Sequence, residues 1–325
     1  LIKGSRADLT VIIPNWNQRK LLKHCLDSIE KQTLPCRVIV VDNGSADRSN
    51  EMVKEMFPEC VCIPLPKNQG FAKAVNIGIQ SCETPYIALL NNDTEADPSW
   101  VEKGLYALES FPEYSFFASR IIDFFDRTRL DSAGDTYDRY GLPTKRGFGE
   151  SCDAYLDREP VAGASAGAAF YRKEIFETAG LLDESYYLYL EDVELSLRAQ
   201  VHGYRCLYLP DAVVYHIEGA SDPDRKVSPD DRRTGIYSAK RVFWITRNRW
   251  QLMLTYQPVR NTPWLLYGWI KSFAFHMIKA GYLLPFLKGL AAGIGRSSYA
   301  LHRRKDLTKT GAITNWELWQ KRVGS

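Results

Sequence analysis

The sequence predicts an α/β fold: a mostly parallel central sheet flanked by helices, followed by a helical appendage at the C-terminal end. Three observations carry this. Short apolar runs and helical patterns alternate strictly through about the first 100 residues. The strand-like runs are nearly continuously apolar, as strands covered on both faces are. Each polar cluster falls directly after a strand, at the carboxyl edge where open α/β sheets bind ligands.

Leu9–Pro14 is a buried-strand run ending in Pro14-Asn15-Trp16-Asn17. From Lys20 to Gln32, Leu21, Leu22, Cys25, Leu26 and Ile29 recur at helical spacing. Arg37–Val41 is the second strand and leads into Asp42-Asn43-Gly44-Ser45. Asp47–Met56 follows as a helix capped by Asp47, then Cys60–Pro64 as a strand and Phe71–Ser81 as a helix. Tyr86–Leu90 is a strand that stops at Asn91-Asn92-Asp93, and Asp97 caps a helix beginning near Pro98. Between Phe116 and Phe170 the pattern loosens into Gly- and Asp-rich turns with short strands. Glu191–His202 is helical: Glu194 and Arg198 form an i,i+4 pair, Val193, Leu197 and Val201 share a face, and Gly203 stops it. Cys206–Leu209 and Ala212–Tyr215 are two short strand-like runs, the second ending at His216.

Composition bounds the rest. The 325 residues are 45% hydrophobic and 25% charged, ordinary for a globular chain and enough for one large domain with an appendage. Seven cysteines in no paired metal-binding spacing are expected to be buried free thiols in a reducing cytoplasm. The net charge of +3 hides an asymmetry: residues 221–325 hold 19 Lys and Arg against 6 Asp and Glu, and residues 1–220 hold 23 against 33. The boundary is placed at the turn-forming run from Ser221 to Asp224, dividing the chain into 1–220 and 221–325.

The second part is rich in Trp, Tyr, Arg and Lys. On a helical wheel Lys271, Ser272, His276 and Lys279 share one arc, and Trp264, Leu265, Trp269, Ile270, Phe273, Met277 and Ile278 fill most of the remainder. Charges interrupt every window of about 20 apolar residues that a spanning helix needs. A membrane-surface contact through residues 260–290 is therefore expected, with a core helix or dimer contact as the plainer reading. Arg232, Arg233, Lys240, Arg241, Arg247 and Arg249 among aromatics also suit nucleic acid, but the same composition serves anionic headgroups, and no nucleic-acid partner is expected.

Four places could carry chemistry. Asp42 at the end of the second strand can accept hydrogen bonds from a base or ribose, although Asp-Asn-Gly-Ser is also a good plain turn. Asp93, leaving a parallel strand, is placed to hold Mg²⁺ or Mn²⁺ against two phosphates, since hard cations often take one or two protein carboxylates plus substrate. Glu191 and Asp192 open a helix, where acids are stabilising without any catalytic role. The nearby aromatics Tyr186, Tyr187 and Tyr189 and the small residues Ala162–Ala169 suit a cleft instead, in which Asp192 can take a proton. His216 is a satisfied polar group or a second metal ligand.

These stretches, in order, resemble the family 2 glycosyltransferases. They are Val11-Ile-Ile-Pro-Asn-Trp-Asn, Val41-Asp-Asn-Gly-Ser-Ala-Asp, Asn68-Gln-Gly-Phe-Ala-Lys-Ala-Val-Asn-Ile-Gly, Leu89-Leu-Asn-Asn-Asp-Thr, Tyr189-Leu-Glu-Asp-Val-Glu-Leu-Ser-Leu-Arg and Val214-Tyr-His. Within that family the chain is similar to the rhamnosyltransferase-like branch of bacterial cell-surface polysaccharide synthesis. The resemblance implies a GT-A fold and an inverting transfer from a nucleotide diphosphate sugar. The favoured donor is dTDP-L-rhamnose, with a UDP-hexose as the alternative, and the acceptor is a lipid-linked or growing glycan. It implies nucleotide-sugar contacts at Pro14, Asn15, Asn17, Asp42, Asn43, Asn68, Gly70, Lys73, Asn91, Asn92 and Asp93. It also implies a divalent metal on Asp93 and His216, Asp192 as general base beside Glu191, and a place on the inner face of the cell membrane. Two positions depart from the family pattern: Asn91 stands where many relatives carry the first acid of Asp-x-Asp, and Glu194 where Asp is frequent. Two other classes fit less well. A sugar-phosphate nucleotidyltransferase needs a Gly-rich, Arg-containing loop after the first strand, and a non-catalytic glycan- or lipid-binding protein does not need Asp93, Asp192 and His216 together.

Overall fold

The computed structural model describes residues 8–217, 219, 238–278 and 282–309. The boundary run at 221–224, together with Arg232, Arg233 and Lys279, lies outside the described residues.

The chain opens as β1 (Leu9–Asn15), α1 (Arg19–Glu30), β2 (Arg37–Asp42), α2 (Ser49–Met56), β3 (Val61–Pro64), α3 (Phe71–Gln80) and β4 (Tyr86–Leu90). Then come β5 (Thr94–Ala96), α4 (Trp100–Ser110), β6 (Phe116–Asp123), β7 (Leu130–Ser132), β8 (Asp135–Tyr137), β9 (Pro143–Lys145), β10 (Pro160–Val161) and β11 (Ala168–Arg172). α5 (Glu174–Thr178), α6 (Glu191–Val201) and β12 (Cys206–His216) complete the sheet region. Among the described residues four helices follow: α7 (Ala239–Tyr256), α8 (Thr262–Ile278), α9 (Leu283–Ile294) and α10 (Ser297–Lys309).

The main sheet runs β10-β12-β6-β11-β4-β1-β2-β3, with β5 and β7 added beside β12 and β6. β3, β2, β1 and β4 are parallel, as are β6 and β12, while β11 lies antiparallel between β4 and β6. Two successive reversals leave β6 and β12 pointing the same way as β4. The ends of β1, β2, β4 and β12 therefore share one edge, which the start of β11 joins. Alternation along the strands splits the core: Val11 and Ile13 pack with residues of α1 and α4, and Ile12 packs with α3 on the other face.

Three local expectations shift. Asp47 and Asp97 are not cap residues; each instead accepts from the backbone N–H two residues on, at Ser49 and Ser99, and the helices start one or two residues later. The two runs before His216 form one strand, β12, whose register slips between Leu209 and Val213. All seven cysteines are free, but only Cys25, Cys82 and Cys206 are buried and the other four are half-buried.

Part of the polar arc of α8 faces inward: Ser272 and His276 turn toward the protein beside the buried Gly268, while Lys271 is exposed, and Ile270, Met277 and Ile278 are 67%, 58% and 83% exposed. Among the described residues no helix is long and apolar enough to cross a membrane.

Helix α4 reaches the sheet at Gly104, where an added Cβ would sit 2.1 Å from the ring of the fully buried Phe170. Gly104→Ala gains about 1 kcal/mol of helix propensity, but overpacking costs about 1–3 kcal/mol. Because Phe170 also packs against Trp100 at 4.6 Å between centroids, it has little room to yield, and net destabilisation is expected. A denaturant midpoint at or above that of the unchanged chain contradicts this packing.

Candidate active site

A cavity of about 780 Å³ opens over the shared strand edge. Pro14, Asn15, Asn43, Asn68, Gly70, Asn91, Asn92, Asp93, Glu191, Asp192 and His216 all line it, whereas Asn17, Asp42 and Lys73 do not. Asp42 is buried beneath it, accepting from Asn15 Nδ2 at 3.0 Å and from the Ser45 hydroxyl. Asn15 Oδ1 accepts in turn from Asn92 Nδ2 at 2.6 Å, so the ends of β2, β1 and β4 are tied in a row. Asn17 has positive φ and accepts from Ala46 N, and Lys73 pairs with Glu184 at 3.0 Å. Gly70, at φ +92°, admits the ring of Tyr187; a Cβ there would lie 2.6 Å from Tyr187 Cδ2.

At the floor, Asp93 Oδ1 lies 3.2 Å from His216 Nε2, both residues being buried. On the other ring nitrogen, Nδ1 meets Asp131 Oδ2 at 2.8 Å, and Asp131 Oδ1 accepts from Lys145 Nζ at 2.7 Å. Burial opposes charge on His216, but the Asp93 carboxylate and the bond to Asp131 outweigh it and push its pKa up to about 10. Asp131 orients the ring and leaves Nε2 facing Asp93, the arrangement that prepares a metal-binding histidine.

The pair fits a divalent cation. Asp93 Oδ1 is buried with no directed hydrogen bond, and two ligands of one octahedral ion at about 2.1 Å stand roughly 3 Å apart. Asn91 Oδ1 and Glu191 Oε2 line the same cavity and are also buried without a hydrogen-bond donor. Buried acceptors left in this state mark a site that expects donors or an ion. Among the described residues no group of three or more His, Cys, Asp or Glu is arranged to hold a metal.

The carboxylates opposite begin α6. The backbone reaches them through left-handed, non-glycine conformations at Tyr187, Tyr189 and Leu190, with φ of 63°, 67° and 67°. Such positions cost of order 1–3 kcal/mol each and persist only where the surroundings hold them. The holding group is Asn248 on α7, fully buried, whose Nδ2 lies 3.1, 3.0 and 2.7 Å from the carbonyls of Tyr186, Leu188 and Tyr189. Arg247 Nη2 adds a bond to Ser185 O at 2.8 Å. Glu194 is buried one turn further on. It takes Arg198 at 2.8 Å, the Tyr256 hydroxyl at 2.7 Å and Arg303 at 3.4 Å, so this residue ties α6 to α7 and α10. Arg249 donates to Gly141 O, Tyr140 O and Ser272 Oγ. Arg247 and Arg249 are thus committed to structure rather than to a nucleic-acid face.

Asp192 keeps acceptor capacity beyond bonds from Ala166 N at 3.1 Å and Val193 N at 2.8 Å. Burial raises its pKa against those backbone bonds. Burial, then the Asp192 charge, raises Glu191 well above the usual carboxylate range. Asp135 is pushed up to about 8 by burial and then by Asp192. Asp131, Asp135, Lys145 and Trp16 lie in or beside the cavity without having been singled out from the sequence, whereas Tyr187 was among the aromatics expected at a cleft. The available signal was two acids flanking a Ser-Ala-Gly turn in an otherwise patternless stretch.

The glycosyl transferase family 2 model matches residues 10–180, more than half of the chain. The amylovoran biosynthesis glycosyltransferase AmsE of Erwinia amylovora is 27% identical over 224 residues, covering 66% of this chain and 77% of its own length. The N-acetylglucosaminyl-diphospho-decaprenol L-rhamnosyltransferase of Mycobacterium tuberculosis is 25% identical over 273 residues, covering 75% of this chain and 89% of its own. The crystal structure of GalNAc-T7 with UDP, GalNAc and Mn²⁺ superposes with a TM-score of 0.59 at 15% identity, over 92% of this chain and 55% of that one, and shows the shared GT-A fold.

With the carboxyls of Asp135, Asp192 and Glu191 all raised, the folded chain keeps protons that the unfolded chain releases. Stability therefore falls as pH rises from about 4 to about 8. Asp135→Asn is expected to flatten this slope in the presence of a chelator. It does not abolish it, because His216 also loses its favourable charge between 6.5 and about 10. Denaturation midpoints against pH measure the effect, and an identical slope in the variant rejects the raised Asp135.

Proposed function

The chain belongs to glycosyl transferase family 2, and we propose that it transfers a hexosyl or deoxyhexosyl group, with inversion, from a nucleotide diphosphate sugar to a polyprenyl-diphosphate-linked or growing glycan. The favoured donor is dTDP-L-rhamnose. The rhamnosyltransferase of M. tuberculosis, whose name gives a diphospho-decaprenol acceptor, supports both choices at 25% identity. One observation carries the reading: the Asp93–His216 pair and the Asp192 carboxylate open on the same cavity at the carboxyl edge of the sheet.

The nucleotide lies against Pro14, Asn15, Asn43 and Asn68, with Asp42 fixing the loop beneath them. Asp93 and His216 would hold the divalent metal, Mg²⁺ or Mn²⁺. When bound, it neutralises charge that develops on the departing diphosphate. Asp192 takes the proton of the attacking acceptor hydroxyl, and attack from the face opposite the leaving group inverts the anomeric carbon. Its raised pKa suits proton acceptance near neutrality better than an ordinary carboxylate would. Glu191, buried with an unpaired oxygen, stays protonated and does not compete. Residues 221–325 supply the contact with acceptor and membrane surface, and the outward apolar face of α8 supports that assignment.

Asp192→Asn is expected to lower turnover by about 10²–10⁴-fold while nucleotide binding stays within twofold; unchanged turnover rejects it as the base. A donor panel read by mass shift of the acceptor decides the sugar. Turnover with dTDP-L-rhamnose and little with UDP-glucose is expected, and the opposite result sinks the rhamnose assignment.

A further inference from the structure

We infer that a second, apolar cavity holds the polyprenyl chain of the acceptor. This rests on the glycosyltransferase reading above and adds a binding site to it. The cavity, of about 560 Å³, lies between α7, α8, α9 and α10, within the range that encloses a drug-sized ligand. Its walls are hydrocarbon and aromatic, from residues such as Leu254, Leu265, Leu290 and Leu301. The polar groups that reach it are already engaged with the protein. Arg304 Nη1 donates to the carbonyls of Leu254 and Gln257, Gln257 bonds Asp138 O and Asn261, and the Thr262 hydroxyl donates to Val259 O. A polar ligand finds little to pair with there, whereas an alkyl chain loses only its contact with water.

Continuity with the active site identifies the occupant. Trp269 and Phe286 line both cavities. Along α7, Lys240, Arg241 and Ile245 face the first cavity, and Trp250, Met253 and Leu254 face the second. At 1.5 Å per residue the step from Lys240 to Leu254 is roughly 20 Å. One molecule with a saccharide at Asp192, phosphate near Lys240 and Arg241, and a long apolar tail matches this sequence of surfaces. The mouth of the second cavity is formed by Leu266, Ile270 and Phe273, exposed by 60%, 67% and 40%. It thus opens on the apolar outer face of α8, where a chain can enter from a lipid surface.

The test titrates farnesyl phosphate and isopentenyl phosphate, which share a headgroup, into the full chain in chelator and below micelle formation. Farnesyl phosphate is expected to bind at least about tenfold more tightly, because burying extra methylenes is favourable. Leu301→Trp and Leu266→Trp, both at exposed positions, fill the mouth and are expected to remove most of that preference, with melting temperature as the control for folding. Equal affinity for the two phosphates overturns the site, as does a preference that both variants keep. Variants that retain farnesyl phosphate binding but change flotation with anionic vesicles overturn it in favour of a plain bilayer contact. Transfer to a water-soluble acceptor reads the catalytic proposal separately. Chain-length preference without any turnover defeats that proposal alone, and turnover without chain-length preference defeats the tail site alone.

Discussion

Three residues with positive φ, Tyr187, Tyr189 and Leu190, aim the first turn of α6 into the cavity, and one buried amide holds the loop there. Local preference opposes these conformations, because Tyr and Leu gain nothing that glycine would not supply at lower cost. Asn248 shares its two amide N–H groups among three converging carbonyls, each full hydrogen bond being worth about 1 kcal/mol. Left unpaired in a buried place, they would cost more than that. The side chains of the loop add to the restraint: the Tyr187 ring stacks on Trp244 at 5.0 Å and fills the space that Gly70 leaves open. The C-terminal helices therefore help to shape the cavity, since α7 fixes the loop from which Asp192 projects.

Around that loop the protein gathers negative charge in a closed space. Asp93, Asp131, Asp135, Glu191 and Asp192 all lie in or beside the cavity, where Lys145 pairs with Asp131 and His216 with Asp93. Burying like charges together is unfavourable unless some are neutralised. Burial pushes the carboxyls of Glu191 and Asp135 toward protonation, and His216 stands between Asp131 and Asp93. An apparent weakness of the sequence, Asn91 in place of an acid, removes one more charge from a cavity already crowded with them.

Much of the fold was legible because it depends on local period. Apolar runs of four to seven residues, separated by helical spacing, specify which segments become strands, and the parallel order places every strand-end motif on one edge. Asp93 and His216 could be named for that reason, whereas Asn15, Asn43 and Asn68 were implied by the resemblance to the family. What local pattern could not show was β11 running antiparallel through the sheet, or Asp131 reaching His216 across 85 residues of chain. Nor could it show which side of α8 faces the protein. Amphipathicity implied that the polar arc meets water, whereas Ser272 and His276 turn toward Arg249 and Phe286, and the apolar arc is left outside.

The sequence alone determined the strand-end motifs, their order and the two-part charge distribution, because each is a property of neighbouring residues. The tertiary structure decided which acids share a cavity, which of them keep their protons, and why Glu194 is a glutamate. It stands between Arg198, Tyr256 and Arg303, partners brought together from three helices. The Arg198 contact is the i,i+4 pair legible in the sequence, but those to Tyr256 and Arg303 arise only after folding has placed distant segments side by side, and no period along the chain encodes them.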